Sequence, residues 1–215
     1  MLSRRNVLAV TGAVLFAEPV LAALPDGTDA LAFQISRNGS RIGTHTLHFQ
    51  KMADGLSVNV AVEMVVRFGP IPVFRYNHNT IERWQAGQFV SLDSKTDYDG
   101  EPGFSAVRRE GSDLVVEGSK VARYIAPADA LPATHWNRAE LSRPMINPEN
   151  GTLLTPQISD RGMDGVQLAS GTRILAHRYA WRGKDTLDLW YDDKDVWAGL
   201  TAVAGDGSQL VYARL

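Results

Sequence analysis

The 215-residue chain contains no cysteine, which excludes disulfide staples, thiol catalysis and lipid attachment through an N-terminal cysteine. The fold must therefore stand on its apolar core, and at 44% hydrophobic residues the chain is long enough to build one. No run of five like charges occurs and the net charge is −2, so neither a polybasic tail nor a nucleic-acid-binding face is expected. No stretch reaches the roughly 20 apolar residues of a membrane span; the apolar run over 7–22 is broken by Thr11, Gly12, Glu18 and Pro19. The Gly-x-Ser-x-Gly elbow of α/β-hydrolases is absent. Metal-ligand spacing is absent too: His45 and His48 fall on opposite strand faces, and His78, His135 and His177 stand alone in sequence. No metal or other cofactor is expected.

What is present begins with an export signature. Ser3-Arg4-Arg5-Asn6-Val7-Leu8 precedes a short apolar stretch, and Val20-Leu21-Ala22-Ala23 supplies the small residues a signal peptidase reads. The adjacent arginines match a twin-arginine address. Residues 1–22 are expected to be a cleaved signal peptide, leaving residues 23–215 as a single periplasmic domain with no transmembrane segment.

From Leu31 onward, apolar and polar residues alternate with a period of two, punctuated by hairpin signals. Strands are expected over 31–37, 41–50, 56–68, 73–84, 89–98, 104–110, 114–117 and 121–125. Asn38-Gly39, Asp54-Gly55, Ala86-Gly87, Asp99-Gly100, Gly111-Ser112 and Gly118-Ser119 separate most of them, and Gly69-Pro70-Ile71-Pro72 should bend or end the third. In that third strand Val58, Val60, Val62, Met64 and Val66 form a wholly apolar face. Short strands resume over 157–160, 165–169, 172–181, 186–191, 196–203 and 209–215. The fold class is all-β: a long, strongly curved antiparallel meander that closes into a barrel, half-barrel or β-roll.

Residues 127–156 interrupt the alternation with five prolines and form a long connection, a feature often functional. Asn137 is placed to cap a short helix over 138–142, with Glu140 at the reciprocal capping-box position and Pro144 beyond its end. His135-Trp136-Asn137 puts an imidazole, an indole and an amide together inside this connection. These groups suit either ligand orientation or a structural role in which Trp136 plugs a barrel end while His135 and Asn137 cap backbone groups. The acidic clusters Asp97-Tyr98-Asp99-Gly100-Glu101 and Asp192-Asp193-Lys194-Asp195 read as turns before they read as calcium ligands. Tyr179, Trp181, Trp190, Tyr191, Trp197 and Tyr212, with Trp84 and Phe89, supply aromatic rings for a core or a pocket. Leu187, Leu189 and Tyr191 point one way and Asp188 and Trp190 the other, so one large ring lies off the main core.

Thr134-His135-Trp136-Asn137, Leu189-Trp190-Tyr191-Asp192 and Asp206-Gly207-Ser208 with Tyr212 resemble the motifs of an uncharacterised family of exported proteobacterial proteins. The strand, Asn-Gly and Ile-Gly over 35–43 are also similar to the start of other envelope proteins with a long curved sheet. The resemblance implies a fold distantly like the half-barrels of periplasmic lipoprotein carriers, and it carries over no catalytic residue because the family has no assigned activity. The leading expectation is a non-enzymatic carrier holding an apolar or lipid-like ligand on its curved sheet, with His135, Trp136, Asn137, Trp190 and Tyr191 as ligand contacts and residues 127–156 as lid. The alternatives are an envelope enzyme, a hydrolase or isomerase using His135 with Glu140, and a module docking an envelope protein through a strand edge.

Overall fold

A computed structural model describes residues 28–215; the expected signal peptide lies outside the described residues. The chain builds an antiparallel sheet of thirteen strands. From its middle run β1 (Ala30–Arg37), β2 (Ser40–Met52), β3 (Gly55–Phe68), β4 (Ile71–Gln85), β5 (Gln88–Tyr98), β6 (Glu101–Glu110), β7 (Asp113–Gly118) and β8 (Val121–Ala126), each hydrogen-bonded to the next. The connection that follows holds a small sheet of β9 (Leu131–Pro132), β10 (Met145–Ile146) and β11 (Leu153–Leu154) and one 3₁₀ turn, Arg138–Ser142. The chain then re-enters the large sheet at its far edge as β12 (Gln157–Gln167) and returns through β13 (Arg173–Arg182), β14 (Thr186–Tyr191) and β15 (Trp197–Val203) to β16 (Gln209–Arg214), which pairs with β1. Strands β8 and β12 are opposite edges and do not pair. The sheet is thus a curled, unclosed barrel.

Turn chemistry sets the registers. Asn38 and Gly39 both take positive φ (49° and 81°), as a type I′ turn requires, and β1–β2 follow with Ser36 opposite Arg41. Gly69-Pro70 is a two-residue turn, and β4 resumes at Ile71 with Pro72 in its first turn-proximal positions. The two strands expected over 157–160 and 165–169 are one strand, β12, with a bulge between Asp160 and Met163. Gly162 supplies the positive φ there, 72°, so the alternation changes phase while the ladder continues.

The concave face carries the core. Phe33, Ile35, Leu47, Val58, Leu92, Val107, Leu114 and Val116 are fully buried on it, and the apolar face anticipated for β3 is inward. Residues 127–156 cross from edge β8 to edge β12 through this concavity. Ala130, Leu131, Trp136, Met145 and Ile146 are buried in the same cluster as Val58 and Val60. The segment is therefore a plug rather than a lid. Its backbone rests directly on the sheet: a Cβ on Gly118 would lie 2.1 Å from the Asn150 carbonyl oxygen, and one on Gly103 2.7 Å from that of Glu149. The connection is long because it must span the gap between two sheet edges that never pair.

Candidate functional site

Strand β4 has an inner face unlike its neighbours. Along it Tyr76, His78, Thr80, Glu82 and Trp84 are buried at alternate positions, opposite the apolar Met64, Val62, Val60, Val58 and Leu56 of β3. A scan for hydrophobic alternation passes over such a strand, and sequence reasoning missed Tyr76, His78 and Glu82. The available signal was an aromatic or titratable residue at every second position from Phe74 to Trp84 except Thr80.

Glu82 is fully buried. Three donors converge on its carboxyl group: Trp84 Nε1 at 2.8 Å, Thr134 Oγ1 at 2.6 Å and Trp136 Nε1 at 3.1 Å. Burial pushes its pKa up to about 7, against the lowering effect of these hydrogen bonds and with a further push from the Glu140 charge. Trp136 also packs edge-on against Phe49 and Trp84, each at 5.4 Å between ring centroids. Its indole thus ties the plug to the floor of the barrel.

His135 sits at φ +68°, a left-handed conformation that costs a residue with a Cβ of order 1 kcal/mol and survives only where surroundings over-determine it. Here they do. The wholly buried Glu140 accepts from the His135 backbone N–H at 3.0 Å through Oε2 and from Nδ1 at 2.7 Å through Oε1, while the His135 carbonyl accepts from Tyr191 Oη at 2.8 Å. The expected capping box differs accordingly. Asn137 Oδ1 does accept from Ala139 N at 3.1 Å, but Glu140 reaches His135 rather than the Asn137 N–H. His135 Nε2 has no hydrogen-bond partner among the described residues.

The His135 ring faces Trp181 (6.1 Å) and Trp197 (5.5 Å). Trp197 also packs against His45, at 5.1 Å, which has Phe33 and Tyr212 beside it. His45 is buried, neither of its ring nitrogens has a partner among the described residues, and Nε2 is wholly enclosed. Burial first, then the His135 and His78 charges, lower its pKa to about 3, so it is neutral at physiological pH. His78 is also held neutral, lowered to about 4 by burial, but is satisfied: Nδ1 meets Thr96 Oγ1 at 2.8 Å and Nε2 meets Thr80 Oγ1 at 2.7 Å. Tyr76 Oη donates to Glu149 Oε1 of the plug at 2.5 Å. Burial also raises the Tyr212 pKa well above that of an ordinary phenol, with the Glu149 charge adding to it, yet its side chain keeps accessible surface. His45, His78 and His135 thus share one interior while His177 is exposed, though no group of three or more His, Asp or Glu among the described residues is arranged to hold a metal.

Of the five candidate contacts, His135, Trp136 and Tyr191 come together at the plug. Asn137 serves the 3₁₀ turn, leaving its buried Nδ2 without a partner. Trp190 is elsewhere. It lies on the convex face in a separate apolar cluster with Val166, Ala176 and Ala198, beneath the Arg178 guanidinium at 5.4 Å. Strand β12 curls back to cover this ring, and Val166 approaches β15 so closely that a Cβ on Gly199 would stand 2.9 Å from Val166 Cγ2. The off-core ring foreseen by alternation is thus covered by the chain itself. The acidic clusters act as turns: Asp97 Oδ1 accepts from Gly100 N, and Asp192 Oδ1 from Lys194 N and Val196 N.

The profile of a family described as "Domain of unknown function (DUF6134)" matches residues 33–215. No curated protein matches the chain. Among solved structures, the chain is similar to a Brucella abortus beta-barrel-like protein of domain of unknown function DUF1849, at a TM-score of 0.59 and 13% identity over 86% of this chain and 95% of that one. The likeness extends to the fold alone.

Proposed function

Since the chain belongs to the DUF6134 family, a domain without assigned activity, its role has to be read from its own geometry, and we propose that it is a non-enzymatic binding protein of the cell envelope. In this reading residues 1–22 export it to the periplasm, where it holds a small apolar or amphipathic molecule inside the curved sheet. The plug occupies the apolar floor, so in this reading the ligand sits against His45 and the partly exposed Tyr212, whose rings pack with Trp197, with the partly exposed His135 also in contact with that indole. The observation that carries the reading is the His45 imidazole. A buried polar ring with no partner costs about 1–3 kcal/mol, and a ligand hydroxyl, carbonyl or carboxyl reaching Nδ1, the ring nitrogen that is not wholly enclosed, would lower that cost. The aromatic rings around it suit an apolar body. The test is native mass spectrometry of the protein recovered from its own periplasm, followed by solvent extraction. A stoichiometric small-molecule adduct, lost in His45→Phe, is the expected result. A bare chain in both forms overturns the proposal, and a co-purifying protein would point to docking on the open β8 or β12 edge.

One observation favours an enzyme as the second reading. A buried carboxylate orienting His135 through Nδ1 is the arrangement of a general base. No serine or threonine hydroxyl donates to Nε2 among the described residues, so such a reaction would need water or a substrate group as nucleophile. Ester or amide turnover abolished by His135→Gln with the melting temperature unchanged would establish it.

A further inference from the structure

Strands β3 and β4 are the longest of the sheet, 14 and 15 residues, and their hairpin outruns both neighbours. Pairing with β2 ends at Gly43 opposite Met64, and pairing with β5 ends at Tyr76 opposite Tyr98. The projecting tip is apolar: Phe68 is 80% exposed, Ile71 61% and Val73 54%, with Pro70 and Pro72 between them. Large apolar side chains this exposed and this close together mark an interaction site. Beside the tip, where β2 parts from β3, opens a cleft of about 660 Å³ lined by Arg37, Arg41 and Arg67 together with Ile42, Val65 and Val66. Arg37 is paired with Asp206, whereas Arg41, Arg67 and Arg75 form no salt bridge among the described residues. Of the acidic side chains nearby, Asp206 is taken up by Arg37 and the exposed Glu63 stands on β3 opposite Thr44, while Asp97, Asp99 and Glu101 belong to the β5–β6 turn on the opposite flank, where Asp99 Oδ1 accepts from the Arg75 backbone N–H at 3.2 Å.

We propose that the β3–β4 hairpin docks the protein onto an anionic phospholipid surface, with Phe68, Ile71 and Val73 inserted at the level of the acyl boundary and Arg41 and Arg67 on the headgroup phosphates. Charge complementarity selects this occupant. An apolar tip alone would suit a second copy of the chain, but in an isologous pair this patch meets itself and sets its arginines against their own copies, whereas arginines behind an apolar wedge match phosphates above acyl chains. No run of basic residues foretells this surface, because the hairpins of β1–β2 and β3–β4 bring its arginines together.

The test is sedimentation of the protein recovered from its own periplasm with vesicles of phosphatidylcholine alone and of phosphatidylcholine with phosphatidylglycerol, compared between wild type and variants. Binding to the anionic vesicles is expected, falling about fivefold for each of Arg41→Gln and Arg67→Gln and about tenfold or more for the double variant Phe68→Ser, Ile71→Ser, with the melting temperature unchanged. Phe68→Trp gives an independent readout. The five native tryptophans are buried, so a vesicle-dependent blue shift reports the tip. Equal sedimentation of wild type and tip variant, no blue shift, or a dimer in lipid-free solution that the tip variant abolishes would each overturn the proposal.

Discussion

Replacing Glu82 by glutamine should change how the stability of this protein depends on pH. Wild-type Glu82 titrates near pH 7 when folded, against an ordinary value of 4.5 when unfolded. Between these values the folded state keeps a proton that the unfolded state has released, so folding is favoured most below pH 4.5 and stability declines as pH rises towards 7. The gap corresponds to about 3 kcal/mol, of which none acts below the window and all above it. Glutamine does not titrate. Its amide oxygen can accept from Trp84 and Trp136, while its NH₂ can donate to Thr134 Oγ1, whose hydroxyl is free to turn. The difference in unfolding free energy, Glu82→Gln variant minus wild type, should therefore grow by about 3 kcal/mol between pH 4 and pH 8. In urea this is a relative shift of about 1 M or more in midpoint. The difference curve is the quantity to measure, because His45 and His78 impose an opposite trend on both proteins. A flat difference from pH 4 to pH 8 would refute the reasoning, since it would mean that the three hydrogen bonds to the carboxyl group outweigh its burial.

His45 and His78, held neutral in the fold, should make the protein acid-labile: stability falls as pH drops below 6.5 towards about 4. His45→Phe should flatten part of that acid limb in pH-dependent thermal melts. Trp136→Ala should cost about 3–5 kcal/mol by urea unfolding, and Trp136→Phe should lose about 1–3 kcal/mol, mainly the indole donor to Glu82. Gly43→Ala should be severe, because its Cβ would stand 1.9 Å from the Glu63 carbonyl oxygen; a loss of soluble folded protein by circular dichroism is expected.

Much of the candidate site was illegible for the reason that makes it a site. His135 and Glu140 are five residues apart, and both were within view of a capping argument. Glu82 meets Thr134 and Trp136 across 52 and 54 positions, Tyr191 meets His135 across 56, and Tyr76 meets Glu149 across 73. Such contacts leave no local trace. Trp190 shows the converse limit: alternation put one ring of Trp190 and Tyr191 off the main core, but only the fold decides that it is Trp190 and that the bulged return of β12 covers it.

Local chemistry in the sequence by itself determined the all-β class, the hairpin turns, nearly every strand of the meander and the 3₁₀ turn capped by Asn137, because a period of two and a positive-φ pair act over a few residues. Tertiary structure alone decided that residues 127–156 plug the barrel, that Glu82 is a buried acid and His45 an unpartnered base, and that scattered arginines share a cleft. Those properties depend on which distant strands face one another, and burial, which sets charge and reactivity, exists only once the sheet has curled.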